Sequence, residues 1–137
     1  MVTESGGSDL DVDSRIRKAT MAYYRLSRIW YSKSLSHKLK IKIFKSNVLS
    51  VLLYGSETWK LTDDQLNKLK VFQTTYTRRI MNVKWFHRVT NKDLLTRSRQ
   101  DDMGEIMERR RWKYVGHVLR RRGAPTEVSL GWAPEGK

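Results

Sequence analysis

Ser46-Asn47-Val48-Leu49-Ser50-Val51-Leu52-Leu53-Tyr54-Gly55-Ser56-Glu57-Thr58-Trp59 is the most apolar stretch of a 137-residue chain with a formal net charge of +14. Its neighbours on both sides are basic, so this is the segment against which the rest must pack. Val48 to Tyr54 is apolar nearly all round, which reads as the last turns of a buried helix. Gly55 stands where a left-handed residue ends a helix. A short turn then brings Trp59 back towards it. Val48, Val51, Leu52 and Tyr54 are the expected core members.

Working backwards, this helix starts near Leu35 and runs to Tyr54. Leu35, Leu39 and Ile43 form one apolar face opposite Lys38, Lys42 and Lys45, so the helix enters at the surface and ends buried. Before it, Val12, Ile16, Ala19, Tyr23, Leu26 and Trp30 recur in steps of four and three. That stripe predicts a helix over residues 11–30 with Asp11 as its N-cap. Residues 1–10, with Gly6-Gly7-Ser8, read as a flexible lead-in.

Working forwards, Thr62 and Gln65 are spaced as a capping box before Leu66, Leu69, Phe72, Tyr76 and Ile80. This predicts a helix over 63–81. A connector over 82–88 follows, with Val83, Trp85 and Phe86 expected to tuck against the core. Thr90 and Asp93 signal a short helix to about Arg97. A last helix spans about 101–121 and carries Met103, Ile106, Met107, Val115, Val118 and Leu119. Gly123-Ala124-Pro125 ends it, and residues 123–137 are expected to be a disordered, truncated tail. No fixed-period repeat or alternating strand pattern appears. The expected fold is all-α, about five helices packed as a bundle, with one basic helical domain over 11–122.

Composition narrows the function. Hydrophobic residues make up 39% and charged residues 31%, which fits a modest core under a large solvated or ligand-covered surface. There is no cysteine, so disulfides, thiolate nucleophiles and cysteine-based zinc sites are excluded. The apolar run is far too short to span a bilayer, and the acidic N-terminus is neither a signal nor a transit peptide.

The 28 Lys and Arg against 14 Asp and Glu are arranged in acid-free blocks. Residues 14–56 carry Arg15, Arg17, Lys18, Arg25, Arg28, Lys33, Lys38, Lys40, Lys42 and Lys45. Residues 65–92 carry Arg78 and Arg79 among others. Residues 109–126 carry Arg109, Arg110, Arg111, Lys113, Arg120, Arg121 and Arg122. A merely solvated face would mix signs. Such blocks fit phosphate contact, which releases counterions and gives steep salt dependence with little sequence choice. Tyr23, Tyr24, Trp30, Tyr31, Trp85, Trp112 and Tyr114 lie among these charges. Exposed rings would stack on bases, whereas rings on apolar stripes belong to the core, and most of these fall on such stripes.

No catalytic constellation emerges. His37, His87 and His117 lack metal-ligand spacing, and there is no glycine-rich phosphate loop or nucleophile elbow. Asp63-Asp64 and Asp101-Asp102 stand at helix starts, where acids favour the helix dipole. Gly116 inside the last helix suggests close packing there, with His117 as a polar core or groove residue. No cofactor, metal or small-molecule substrate is expected, and on its own residues the chain reads as a binder.

Five stretches then resemble one family. Asn47-Val48-Leu49-Ser50-Val51-Leu52-Leu53-Tyr54-Gly55-Ser56-Glu57-Thr58-Trp59 resembles the segment just after the catalytic domain in non-LTR (LINE-like) retrotransposon reverse transcriptases. The region around residues 11–19, Arg78-Arg79-Ile80-Met81-Asn82-Val83-Lys84-Trp85, and residues 109–120 resemble the same proteins in order. Residues 132–137 resemble the approach to their basic tail. The resemblance implies a thumb-like part over 11–59 and a following helical region over 60–122, gripping template–primer or template RNA. The catalytic palm, with its Tyr-x-Asp-Asp motif, is not in this chain and would be a partner. An intracellular location, nuclear or cytoplasmic, follows from the same resemblance. The alternative is a retrotransposon relic without a selected role, or reused as a helical interaction module. The expected nucleic-acid-binding residues are Arg15, Arg17, Lys18, Arg25, Arg28, Lys38, Lys42, Lys45, Arg78, Arg79, Arg109, Arg110, Arg111, Lys113 and Arg120.

Overall fold

Val12, Ala19 and Tyr23 are buried along the inner edge of a long first helix, α1 (Glu4–Arg25). The computed structural model describes residues 4–121, with the backbone alone at 4–10 and 58. The helix starts ahead of Asp11, so residues 4–10 are helical rather than a loop. Once Val12 is packed, each residue added ahead of it gains a backbone hydrogen bond. Those gains outweigh two glycines at about 1 kcal/mol each. The chain breaks at Leu26 and resumes as α2 (Ser27–Trp30). The buried Trp30 indole N–H donates to the Tyr23 carbonyl at 2.7 Å, and its ring stacks on Tyr23 with centroids 5.2 Å apart. The break therefore stays on the stripe that begins at Val12.

The central rod is α3 (His37–Ile43), a π-helical turn (Phe44–Leu49) and α4 (Ser50–Leu52). Side chains of Ser46, Asn47 and Ser50 bond back to the carbonyls of Lys42, Ile43 and Ser46 at 3.0, 3.2 and 2.6 Å. Such back-bonding competes with the helical ladder and accompanies its widening. The inner edge of the rod is Ile41, Phe44, Val48, Leu49, Leu52 and Leu53. Of the face expected at Leu35, Leu39 and Ile43, Ile43 packs half-buried against the core, while Leu39 is exposed and Leu35 precedes the helix. Lys40 lies inside instead, with its ammonium donating to the Trp30 carbonyl at 2.9 Å. Tyr54, an expected core residue, is 73% exposed. The helix has already ended at Leu53, and the ring lies beneath the Arg15 guanidinium, 5.3 Å from its centre. Gly55 has φ +76°, the left-handed stop that its position implied. A 3-10 turn (Ser56–Thr58) then delivers Trp59 to the core.

The capping box forms at Thr62 and Gln65, opening α5 (Asp63–Ile80). Phe72 stacks on Phe44 with centroids 6.5 Å apart, joining α5 to the rod. Thr90 caps α6 (Asn91–Ser98), and α7 runs over Met103–Arg121. A buried polar cluster ties α5 to the segment between α6 and α7. The Gln73 amide donates to Gln100 and to the Asp101 carbonyl, and the Gln100 amide donates to Thr77 and Ser98. No sequence pattern marked it. All regular structure among the described residues is helical, and the substantial pieces are α1, the rod, α5, α6 and α7. The all-α bundle is as expected. The tail beyond 121 lies outside the described residues.

Two expectations fail in the connectors and α7. Trp85 and Phe86 stand out from the surface at 86% and 59% exposure rather than tucking in. A side chain at Gly116 would meet only the flexible end of Arg120, at 3.6 Å, and His117 is exposed. Gly116 thus marks no close helix contact.

Leu52→Ala should cost about 2–5 kcal/mol through the cavity it leaves, whereas Tyr54→Ala should change stability by under about 1 kcal/mol; urea unfolding of both variants checks this. Burial pushes the Tyr23 phenol up to about 12, against the opposing effect of Arg79. The folded state therefore disfavours the tyrosinate. Its stability contribution is complete below about pH 10 and is lost as pH climbs towards 12. Unfolding midpoints across that window should fall less steeply in Tyr23→Phe.

Candidate nucleic-acid interface

Ser36 caps α3 by accepting the Leu39 N–H at 3.1 Å, which fixes the register of the basic residues that follow. His37, Lys38, Ile41, Lys42 and Lys45 then share one side of the rod. The C-terminal end of α6 packs beside it. Arg99, at φ +57°, turns the chain out of α6. Between the two lies an open groove of about 410 Å³ lined by His37, Lys38, Ile41, Lys42, Lys45, Met81, Arg97, Ser98 and Arg99. Ile41 and Ser98 are buried at its floor, while the five Lys and Arg side chains are exposed. Lys45 reaches across to the Arg99 carbonyl at 3.5 Å. None of the lining residues is acidic. Like charges gathered without counter-charge repel one another, and a polyanion lying along the groove would remove that cost.

The groove unites the expected Lys38, Lys42 and Lys45 with Arg97 and Arg99, which are not among the residues expected from the sequence. Those two arginines fall between Asp93 and Asp101, so a search for acid-free blocks passes over them. The Thr90 cap marks where α6 starts, but no local signal places its C-terminal end beside the rod.

The other expected residues divide by what their nitrogen atoms already touch. Arg15 donates to the Val51 carbonyl at 3.0 Å and joins α1 to the end of the rod. Arg110 donates to Ser56, to the Leu53 carbonyl and to Glu57 at 3.1, 3.2 and 3.2 Å. It thereby ties α7 to the carbonyl end of the rod, where a cation is favoured. Arg111 donates to the Trp59 carbonyl at 3.0 Å. Arg78 holds the Val89 carbonyl and Asn91, both at 2.8 Å. Arg79 donates to the Tyr24 hydroxyl at 2.8 Å and lies over the Tyr76 ring; the bond to Tyr24 raises its pKa above the usual guanidinium range. Arg109 pairs with Asp101 at 2.9 Å, largely in solvent.

Arg17, Lys18 and Arg25 are exposed together along one side of α1, and Arg28 is exposed on α2. Lys113 and Arg120 are exposed on one side of α7, seven positions apart. The paired acids serve helix starts: Asp63 and Asp64 lie in the first turn of α5, and Asp102 accepts the Gly104 N–H at 2.9 Å. Among the described residues no cluster of His, Asp and Glu is placed to hold a metal ion, and no helix is long and apolar enough to cross a membrane.

Residues 22–54, from the end of α1 through the rod, match a family described as a domain of unknown function (DUF6451). The chain is also similar to a Caenorhabditis elegans protein described as an uncharacterized transposon-derived protein, F52C9.6, at 25% identity over 125 residues. That alignment takes in 88% of this chain and 45% of the other protein, so the chain spans under half of that relative's length. No solved structure matches.

Arginines that hold the fold and cations that line the groove should separate in mutants. Arg110→Ala should lose about 1–2 kcal/mol of stability, since three partners lose a donor. Lys42→Ala should stay within about 0.5 kcal/mol of the parent. Thermal and urea unfolding of the two variants give the comparison.

Proposed function

We propose that this chain is a transposon-derived helical module that grips nucleic acid by its phosphates. The observation that carries the proposal is the groove between α3 and α6, where Lys38, Lys42, Lys45, Arg97 and Arg99 converge with no acid among the lining residues. The exposed cations of α1 and α7 extend the same sign of charge over further surface. The similarity to a transposon-derived protein supports a mobile-element origin. The resemblance of residues 47–59, 78–85 and 109–120 to non-LTR reverse transcriptases makes the module comparable to their thumb and following helices. On this reading the chain supplies grip and no chemistry of its own, a palm domain is its partner, and template–primer or template RNA is its ligand.

A second reading follows from the same similarity. A transposon-derived chain can persist as a relic, or as a helical module reused for protein contact. The two readings separate by salt. Phosphate neutralisation makes log K fall linearly with log salt, whereas an interaction module has no such dependence on nucleic acid.

Binding of an RNA–DNA hybrid duplex, followed by fluorescence anisotropy at several salt concentrations, tests the proposal. Affinity should weaken steeply with salt and vary little with duplex sequence. Lys38→Ala and Lys42→Ala should each reduce the magnitude of the salt slope by about one. An absence of binding at low salt, or slopes unmoved by both substitutions, would leave the relic reading in place.

A further inference from the structure

The connector between α5 and α6 places large rings in solvent and holds them there. Trp85 and Phe86 meet edge to face with centroids 5.7 Å apart, and Phe86 meets His87 at 4.7 Å. At 86% exposure Trp85 contributes almost nothing to the core. A frayed loop would explain that exposure, but this segment is closed by hydrogen bonds. The Val83 N–H donates to the Arg78 carbonyl at 2.9 Å. The Lys84 N–H donates to His87 Nδ1 at 2.9 Å, and the His87 N–H returns to the Lys84 carbonyl at 3.0 Å. On the far side, the Arg78 side chain holds the Val89 carbonyl and Asn91.

The backbone is also strained to make this shape. Asn82 and Arg88, on either side of the 3-10 turn (Trp85–His87), both have φ +56°. Asparagine tolerates that region, but for arginine it costs about 1–2 kcal/mol. A strained, hydrogen-bonded turn that exposes a tryptophan has the character of a presented group.

We infer that the Trp85–Phe86 knob is a stacking platform for an unpaired base of a bound nucleic acid strand. Charge selects this occupant. Lys84 and Arg88 flank the rings, Lys92 follows, and no acid occurs from residue 65 to residue 92. An aromatic face flanked by cations suits a base with its phosphates on either side, and stacking of this kind is tolerant of sequence. Arg78 then acts as a positioning residue that fixes the turn. The inference rests on the nucleic-acid reading and adds what the groove alone does not supply, a preference for single-stranded or frayed ends.

The test uses the full chain with two probes, a fluorescein-labelled oligouridylate and a blunt RNA–DNA hybrid. Trp85→Ala should weaken oligouridylate binding about tenfold or more and leave hybrid binding and the melting temperature unchanged. Trp85→Phe should keep most of the affinity. It should also lose the quenching of tryptophan emission that a stacked base produces in the parent. Oligouridylate affinity unmoved by Trp85→Ala, with salt-dependent hybrid binding intact, overturns the platform and leaves the groove standing. Loss of self-association in Trp85→Ala, with no change in oligouridylate binding, would make the knob a protein contact instead. Failure of the parent to bind either probe overturns both readings.

Discussion

One edge of the central rod must be buried while a net charge of +14 stays in water. Phe44, Val48 and Leu52, each with no exposed surface, form that edge against α1 and α5. Tyr23, Trp30, Phe44, Phe72 and Tyr76 continue it as a chain of ring contacts. A chain this basic works against its own compaction through self-repulsion. The apolar edge and the arginine-to-carbonyl bonds together offset that repulsion. Arg15 and Arg110 are central here, because each places a guanidinium on a backbone carbonyl near the end of the rod. The same charge that opposes folding is thus partly used to hold it.

What remains after those bonds is the surface that can meet a polyanion. Packing α6 against α3 turns two separate basic segments into one groove. The rod carries Lys38, Lys42 and Lys45 outward while Phe44 and Val48 stay inside. A lysine that the outer face does not need, Lys40, is taken inward and satisfied by the Trp30 carbonyl. Fold and groove are therefore two sides of one helix, and changes on the inner side would be felt on the outer one.

Much of the fold was legible because its signals are local. The Thr62–Gln65 box, the Thr90 cap, the Gly55 stop and the Val12-to-Trp30 stripe each depend on residues within a few positions of one another. The misreadings share a different cause. Periodicity puts Tyr54 inside because it does not reveal that the helix ends one residue earlier. Trp85 and Phe86 read as core because large rings usually are buried, and strain at Asn82 and Arg88 leaves no mark in a sequence. The arginines were the hardest to sort. Arg15 finds its carbonyl 36 residues away and Arg110 finds one 57 away, and neither distance follows a pattern. Arg97 and Arg99 entered the groove only when α6 was set beside α3.

The central claim is that the exposed cations of the groove meet nucleic acid while the carbonyl-bound arginines do not. Nuclear magnetic resonance titration of the isotope-labelled chain with an RNA–DNA hybrid tests it most directly. The account predicts shift changes concentrated at Lys38, Lys42, Lys45, Arg97 and Arg99, with Arg15 and Arg110 unmoved. Changes centred on Arg110 and Ser56, or a spectrum indifferent to the hybrid at low salt, would contradict it.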